Sequence, residues 1–122
     1  MRSAALEQAS TPANRLALLD AELSAATTLL LNIPVRFDFE RALFSLRAKG
    51  PLRASALSDT MQQLQREWYG PALGATHPLL WAEKIHFYLS GAPFYNFPYT
   101  FGYLLSLGLY ALAREDGGGD FP

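Results

Sequence analysis

The chain has 122 residues, is 50% apolar and carries a formal net charge of −1. This length and composition allow one domain with a buried core, and the interspersed charges exclude the basic stripe of a nucleic-acid-binding surface. The absence of cysteine excludes disulfides and thiolate metal sites, and it fits a reducing, cytoplasmic compartment. Glu7 interrupts the apolar run that a signal peptide needs.

The first predicted helix begins at Thr11-Pro12. Threonine is a suitable N-cap, and proline is tolerated at the first helical position. Apolar residues then recur at three- and four-residue steps, at Leu16, Leu19, Leu23, Ala26, Leu30, Ile33 and Phe37. Pro34 lies inside this pattern, so it predicts a kink or a division of the helix near Leu31.

Beyond Pro34 the helical pattern continues to Gly50-Pro51, which ends it. A new apolar face is formed by Phe39, Leu43 and Leu46. Arg36 and Glu40 are four residues apart, and this spacing predicts an ion pair on the helix surface.

Two further helices are predicted in the middle of the chain. Ser55 is the expected cap of the first, which runs to about Tyr69. Its buried face is predicted to contain Leu57, Met61, Leu64 and Trp68. The second is expected to begin at Pro78 and end near Gly91. Its inward residues are predicted to be Trp81, Ile85 and Leu89.

The last predicted helix covers roughly Phe97 to Arg114. One of its faces is apolar and carries Phe97, Phe101, Leu104, Leu105, Gly108 and Leu112. The other carries hydroxyl groups, on Tyr99, Tyr103, Ser106 and Tyr110. Gly102 and Gly108 are expected to let a neighbouring backbone approach closely.

These elements predict an all-α fold, an antiparallel multi-helix bundle that forms a single domain over residues 1–122. Met1–Gln8 resembles the end of a helix begun elsewhere, and residues 117–122 are expected to form a flexible tail. Residues 89–113 contain no charge and are long enough to span a bilayer. Their first half is rich in proline and tyrosine, so a buried helix is favoured, and a membrane-anchored protein remains the alternative.

No complete catalytic or metal motif is present in the sequence. The chain lacks H-E-x-x-H, and its two histidines, His77 and His86, are nine residues apart. Glu83 and His86 have the spacing seen in di-iron bundles, but only one copy is present, so no metal site is predicted. Taken alone, His86 is typical of a helix-end histidine that Glu83 or a carbonyl satisfies.

The aromatic segment over residues 87–103 is the strongest functional signal, because it carries half of the chain's aromatic side chains. Tyrosines, prolines and glycines stand where a core helix would have leucines, and this composition indicates a ligand-binding surface. Buried structural tyrosines at Tyr95, Tyr99 and Tyr103 are the alternative interpretation.

Residues 86–110 read HFYLSGAPFYNFPYTFGYLLSLGLY. This run closely resembles the C-terminal signature of oligoendopeptidase F, one of the thimet-oligopeptidase-like zinc peptidases. The likeness continues upstream, in the same order, over residues 15–23, 29–41, 65–70 and 77–84. In total it covers roughly residues 5–116.

The resemblance implies a large helical peptidase in which an H-E-x-x-H helix and a further glutamate hold zinc, and zinc-bound water attacks the peptide carbonyl. A C-terminal histidine and tyrosines close over the substrate and stabilise the oxyanion. At the matching positions, the resemblance gives catalytic roles to His86, Tyr95 and Tyr99. It gives substrate-binding roles to Tyr103 and Phe94.

The sequence departs from this family by lacking the zinc-binding motif. It is expected to begin just after the third zinc ligand, and Glu7 does not fit the ligand pattern. We therefore expect the C-terminal substrate-binding part of a zinc metallopeptidase that hydrolyses short peptides, inactive by itself and without a cofactor of its own. The alternative is a non-catalytic helical module that binds peptides or a partner. Apolar faces left uncovered predict self-association.

Overall fold

The computed structural model describes residues 8–115, which are all-helical and contain no strand, as the sequence predicts. The α-helices are α1 (Pro12–Thr27), α2 (Ile33–Arg47), α3 (Ala54–Tyr69), α4 (Leu80–Glu83) and α5 (Phe97–Glu115). A π-helical turn covers Thr28–Asn32, and 3₁₀ turns cover Gly70–Ala72 and Ile85–Tyr88. The predictions for residues 1–7 and 117–122 concern residues outside the described range.

The start of α1 and the division before α2 are confirmed. The Thr11 hydroxyl oxygen accepts a hydrogen bond from the Asn14 N–H at 3.1 Å, and Pro12 is the first helical residue. The π-helical turn Thr28–Asn32 separates α1 from α2. Pro34 has no N–H to donate and its ring crowds the preceding turn, so a wider turn just before it relieves both problems.

Helices α2 and α3 form an antiparallel hairpin that contains the core. Trp68, near the end of α3, donates its indole N–H to Asp38, near the start of α2, at 2.9 Å. Val35, Phe39 and Met61 are fully buried between the two helices. Burial of side chains of this size contributes about 1.5–3 kcal/mol each. The core therefore lies where two predicted apolar faces meet.

Three details of this hairpin were predicted wrongly. Trp68, expected on the buried face of α3, is 39% exposed. Helix α3 begins at Ala54, after Arg53 in an extended conformation, so Ser55 lies inside the helix and does not cap it. Glu40 does not pair with Arg36 on the surface. Instead Glu40 is only 3% exposed, and its Oε1 atom accepts the Phe94 N–H at 2.7 Å. A contact with a residue far along the chain has replaced the local pair.

The predicted helix from Pro78 to Gly91 is also wrong. Only the short helix α4 forms, and Lys84 adopts an extended conformation before the 3₁₀ turn. Ile85 is 65% exposed and Leu89 is also exposed, so both point outward, contrary to expectation. This break changes the direction of the chain before His86.

Helices α1 and α5 are largely exposed. The predicted apolar stripe of α1 meets little of the described chain, and Leu16 is 69% exposed. No residue of α5 is buried. A Cβ atom added at Gly102 or Gly108 would meet nothing within 4 Å, so the expected close backbone approach is absent from residues 8–115. Helix α5 is tied down near its start, where Thr100 Oγ1 donates to the Leu29 carbonyl at 2.6 Å.

One helical stretch in the described chain, the 36-residue Pro12–Arg47 that joins α1 and α2, is long and apolar enough to cross a membrane. Length and composition alone support this, and the core helix of a soluble protein meets the same criterion. The stretch differs from residues 89–113, which raised the membrane question in the sequence.

Candidate functional site

Three of the residues that the resemblance singled out lie together on the surface. The His86 ring stacks on the Tyr95 ring, with centroids 5.4 Å apart and planes tilted by 23°. The Tyr95 ring meets the edge of the Tyr99 ring at a centroid distance of 5.8 Å. We call these three side chains the aromatic row. It joins the 3₁₀ turn to the first turn of α5.

The turn before α5 holds the aromatic row in place. Phe94 has a φ of 59°, a backbone conformation that is unusual for a bulky residue. The Glu40 carboxylate fixes it by accepting its N–H. The Phe94 ring packs against Phe37 and Phe44 of α2, with centroids 5.6 and 5.4 Å away. Phe94 thus anchors the turn to the hairpin, outside the aromatic row.

The tyrosines of the row are half exposed, as a surface that contacts a ligand requires. The pKa of Tyr99 is raised above its ordinary value by a hydrogen bond with Tyr95, and to a smaller extent by desolvation and by the nearby Tyr95 charge. Tyr99 is therefore a neutral hydrogen-bond donor at neutral pH. Tyr103 follows one helical turn later on the same side of α5 and is partly buried.

Two cavities flank the turn. The first, which we call the Glu40 pocket, has a volume of about 430 Å³, and Glu40, His86 and Arg47 are among its lining residues. The second, the apolar groove, has a volume of about 340 Å³ and lies between the start of α2, the end of α3 and the start of α5. Phe37 and Phe101 are among the residues that line it. Neither tyrosine of the aromatic row lines these cavities.

Residues 8–115 contain no group of three or more histidine, aspartate or glutamate side chains that could hold a metal ion. Glu83 does not satisfy His86, because its Oε1 atom lies 2.7 Å from His77 Nε2. The His86 Nδ1 atom is buried and has no hydrogen-bond partner within the described chain. The contact that holds the His86 ring is thus its stacking on Tyr95.

Two buried polar residues near the row do not follow from the sequence. The spacing from Arg36 predicts Glu40 on the helix surface, and nothing in the local helical pattern distinguishes it from an exposed glutamate. Asn96 is 0% exposed, and neither its Oδ1 nor its Nδ2 atom has a partner in residues 8–115. The sequence signal for Asn96 is that it is a single amide within an aromatic run. An amide buried among aromatic rings is unusual, because buried amides are normally hydrogen-bonded.

Comparison with known protein families, with curated proteins and with solved structures finds no match to this chain.

Proposed function

We propose that this chain forms the substrate-side wall of a zinc metallopeptidase of the oligoendopeptidase F kind. The observation that supports this most is the aromatic row, in which His86, Tyr95 and Tyr99 make consecutive ring contacts. His86 and Tyr95 lie in separate turns, so their contact is not a consequence of helical periodicity. The same three positions match the resemblance described above.

In this proposal the row binds the peptide and stabilises the developing oxyanion. Tyr99 turns its single O–H from Tyr95 to the oxyanion, and the phenol, whose pKa is raised, is a neutral donor at neutral pH. The Tyr95 ring lies beside the Tyr99 ring, and His86 supplies a further hydrogen-bonding group. Tyr103 extends the same side of α5 along the substrate, and Phe94 contributes by fixing the turn.

In such a peptidase the zinc and the general base would be held by residues outside this sequence, and the zinc would supply an activated water. The sequence contains no H-E-x-x-H, so the 122-residue chain alone is expected not to hydrolyse peptides. Zinc-dependent peptide cleavage by the purified chain would contradict this proposal.

The exposure of α5 favours a second candidate, a non-catalytic module that binds peptides or a partner protein. Its leucines and phenylalanines face solvent along most of the helix, and exposed apolar patches of this kind mark interaction surfaces. They also predict that the isolated chain self-associates, which light scattering measures. A monomer at high concentration would count against an uncovered interaction surface.

A chimera tests the first candidate. The C-terminal segment of an oligoendopeptidase F is replaced by residues 8–115 of this chain, and zinc content, folding and peptide hydrolysis are measured. We expect zinc-dependent hydrolysis. A folded chimera that holds zinc but does not cleave peptides would contradict the proposed role.

Peptide titration of the chain alone separates the two candidates. Tryptophan fluorescence, from Trp68 and Trp81, reports binding of short unstructured peptides. Saturable binding without turnover, together with an inactive chimera, favours the module. An active chimera favours the peptidase wall.

A further inference from the structure

We propose that the Glu40 pocket binds a primary ammonium group carried on a short apolar body, as in an arylalkylamine. The Glu40 carboxylate supplies the charge. Its Oε1 atom accepts the Phe94 N–H, while its Oε2 atom is buried and has no hydrogen-bond partner in the described chain. Leaving a buried carboxylate oxygen without a donor costs free energy, which a cationic donor in the pocket recovers.

His86 provides a second acceptor in the same pocket. Its Nδ1 atom is buried and lacks a partner within residues 8–115. In the neutral tautomer that carries its proton on Nε2, this nitrogen accepts a hydrogen bond. A primary ammonium has three N–H donors, which is enough for both acceptors, whereas a peptide N–H has one donor and an alcohol brings no charge.

The rest of the pocket suits an apolar body. Leu43, Phe87 and Leu89 are among its walls, and its volume is about 430 Å³. Small-molecule sites of roughly 300–1,000 Å³ combine such walls with a few polar groups. The pocket thus combines a negatively charged, hydrogen-bonding part at Glu40 and His86 with apolar walls.

The neighbouring cations leave the Glu40 charge available. Arg47 also lines the pocket, but its side chain is exposed, so solvent weakens its repulsion of a bound cation. Arg36, one turn before Glu40, makes no ion pair with it in the part of the chain described. Of the aromatic row, only His86 lines this pocket, and a substitution at Glu40 tests the pocket while leaving the side chains of the row unchanged.

Phenethylammonium, titrated into the full 122-residue chain, tests the site by nuclear magnetic resonance. The chain has two histidines, so His86 reports binding and His77 is the internal reference. We expect saturable shifts of the His86 ring signals with a Kd on the order of 1 mM. Phenethyl alcohol, which lacks the charge, and the trimethylated ammonium, which lacks the donors, should each bind about tenfold more weakly or worse.

The decisive variant is Glu40→Gln, which keeps an acceptor for the Phe94 N–H and removes the charge. We expect phenethylammonium affinity to fall by about tenfold or more. Glu67→Gln, on the exposed side of α3, is the matched control and should leave the affinity unchanged. Equal affinity in Glu40→Gln, or equal binding of the alcohol, would overturn the proposal.

Leu89→Lys provides a second variant if Glu40→Gln does not fold. Leu89 is an exposed wall of the pocket, so a lysine there carries a tethered ammonium that competes with the ligand for the Glu40 carboxylate, with little effect on the core. We expect it to weaken ammonium binding. Unchanged binding in this variant, with the circular dichroism of the folded chain retained, would contradict the site.

Discussion

The α2–α3 hairpin and helix α5 use apolar residues for different purposes. In the hairpin, Val35, Phe39 and Met61 are fully buried against each other and their neighbours. Helix α5 is longer than either helix of the hairpin and at least as apolar, yet it buries none of its residues. The hairpin thus stabilises the fold, while α5 presents a surface.

The aromatic row lies where these two regions meet. Tyr99 belongs to the first turn of α5, and His86 and Tyr95 lie in the connection that leads to it. The hairpin fixes this junction through Glu40 and Phe94. The row therefore lies between the buried α2–α3 hairpin and the exposed helix α5. Substitutions in each region test whether the hairpin alone carries most of the stability.

The largest expected effect is in the hairpin core. Phe39→Ala should lower the free energy of unfolding by about 3–5 kcal/mol, because it leaves a cavity. It also removes an edge contact with Phe87 at a centroid distance of 5.0 Å. Urea unfolding followed by circular dichroism measures the loss. Phe101→Ala on α5 is the matched control, with an expected loss below about 1 kcal/mol. Equal losses would remove the distinction between the two regions.

A smaller effect is expected at Gln65, which supports the connection before the row. Its side chain accepts the His77 N–H at 2.8 Å and donates to the His77 carbonyl at 2.9 Å. Gln65→Leu leaves both backbone groups without partners, so we expect a loss of about 2 kcal/mol or more. Gln63→Leu, on the exposed side of α3, should change unfolding by no more than about 0.5 kcal/mol. Comparable losses in both variants would contradict a supporting role for Gln65.

The hydrogen bond that attaches α5 should contribute less to the free energy of unfolding than Gln65 does. Thr100→Val removes the hydrogen bond to the Leu29 carbonyl while keeping the side chain's shape. We expect a loss of about 1 kcal/mol and faster hydrogen exchange of α5 amides than of hairpin amides. Thr27→Val is the control at an exposed threonine. Exchange that accelerates equally in the hairpin would show that the two regions are one cooperative unit.

The smallest effect concerns proton affinity in the row. Tyr95→Phe should lower the pKa of Tyr99 toward its ordinary value of 10.0, because the largest cause of the raised pKa is removed. Folding therefore gains stability from Tyr99 below about pH 10, and this gain disappears as pH rises through the folded-state pKa. Ring signals of labelled tyrosine follow the titration. Tyr88→Phe should leave the Tyr99 pKa unaltered, and an unaltered value in Tyr95→Phe would exclude the coupling.

Local sequence patterns predicted the parts of the fold that local physics determines. The cap at Thr11, the division before Pro34 and the extent of α5 follow from helix chemistry within a few residues. The break at Lys84 could not be predicted in this way, because contacts distant in sequence hold that segment. Glu40 is the clearest example, since its burial depends on an N–H that lies 54 residues further along the chain.

The candidate site was predicted by resemblance and only in part by pattern. Helical spacing relates Tyr99 to Tyr103, but Tyr95 lies before α5 and His86 lies in a separate turn. Their ring contacts depend on the unusual backbone conformation at Phe94, which no residue preference would have indicated. The Glu40 pocket depends on the same turn.

The central claim, that the aromatic row stabilises a transition state, is tested most directly by Tyr99→Phe in the zinc-loaded chimera. We predict that kcat falls by about 10²-fold while KM changes much less, as expected for the loss of an oxyanion donor. Tyr88→Phe, at an exposed tyrosine outside the row, should leave both constants unchanged. An unchanged kcat in Tyr99→Phe would contradict the claim and leave Tyr99 with a packing role.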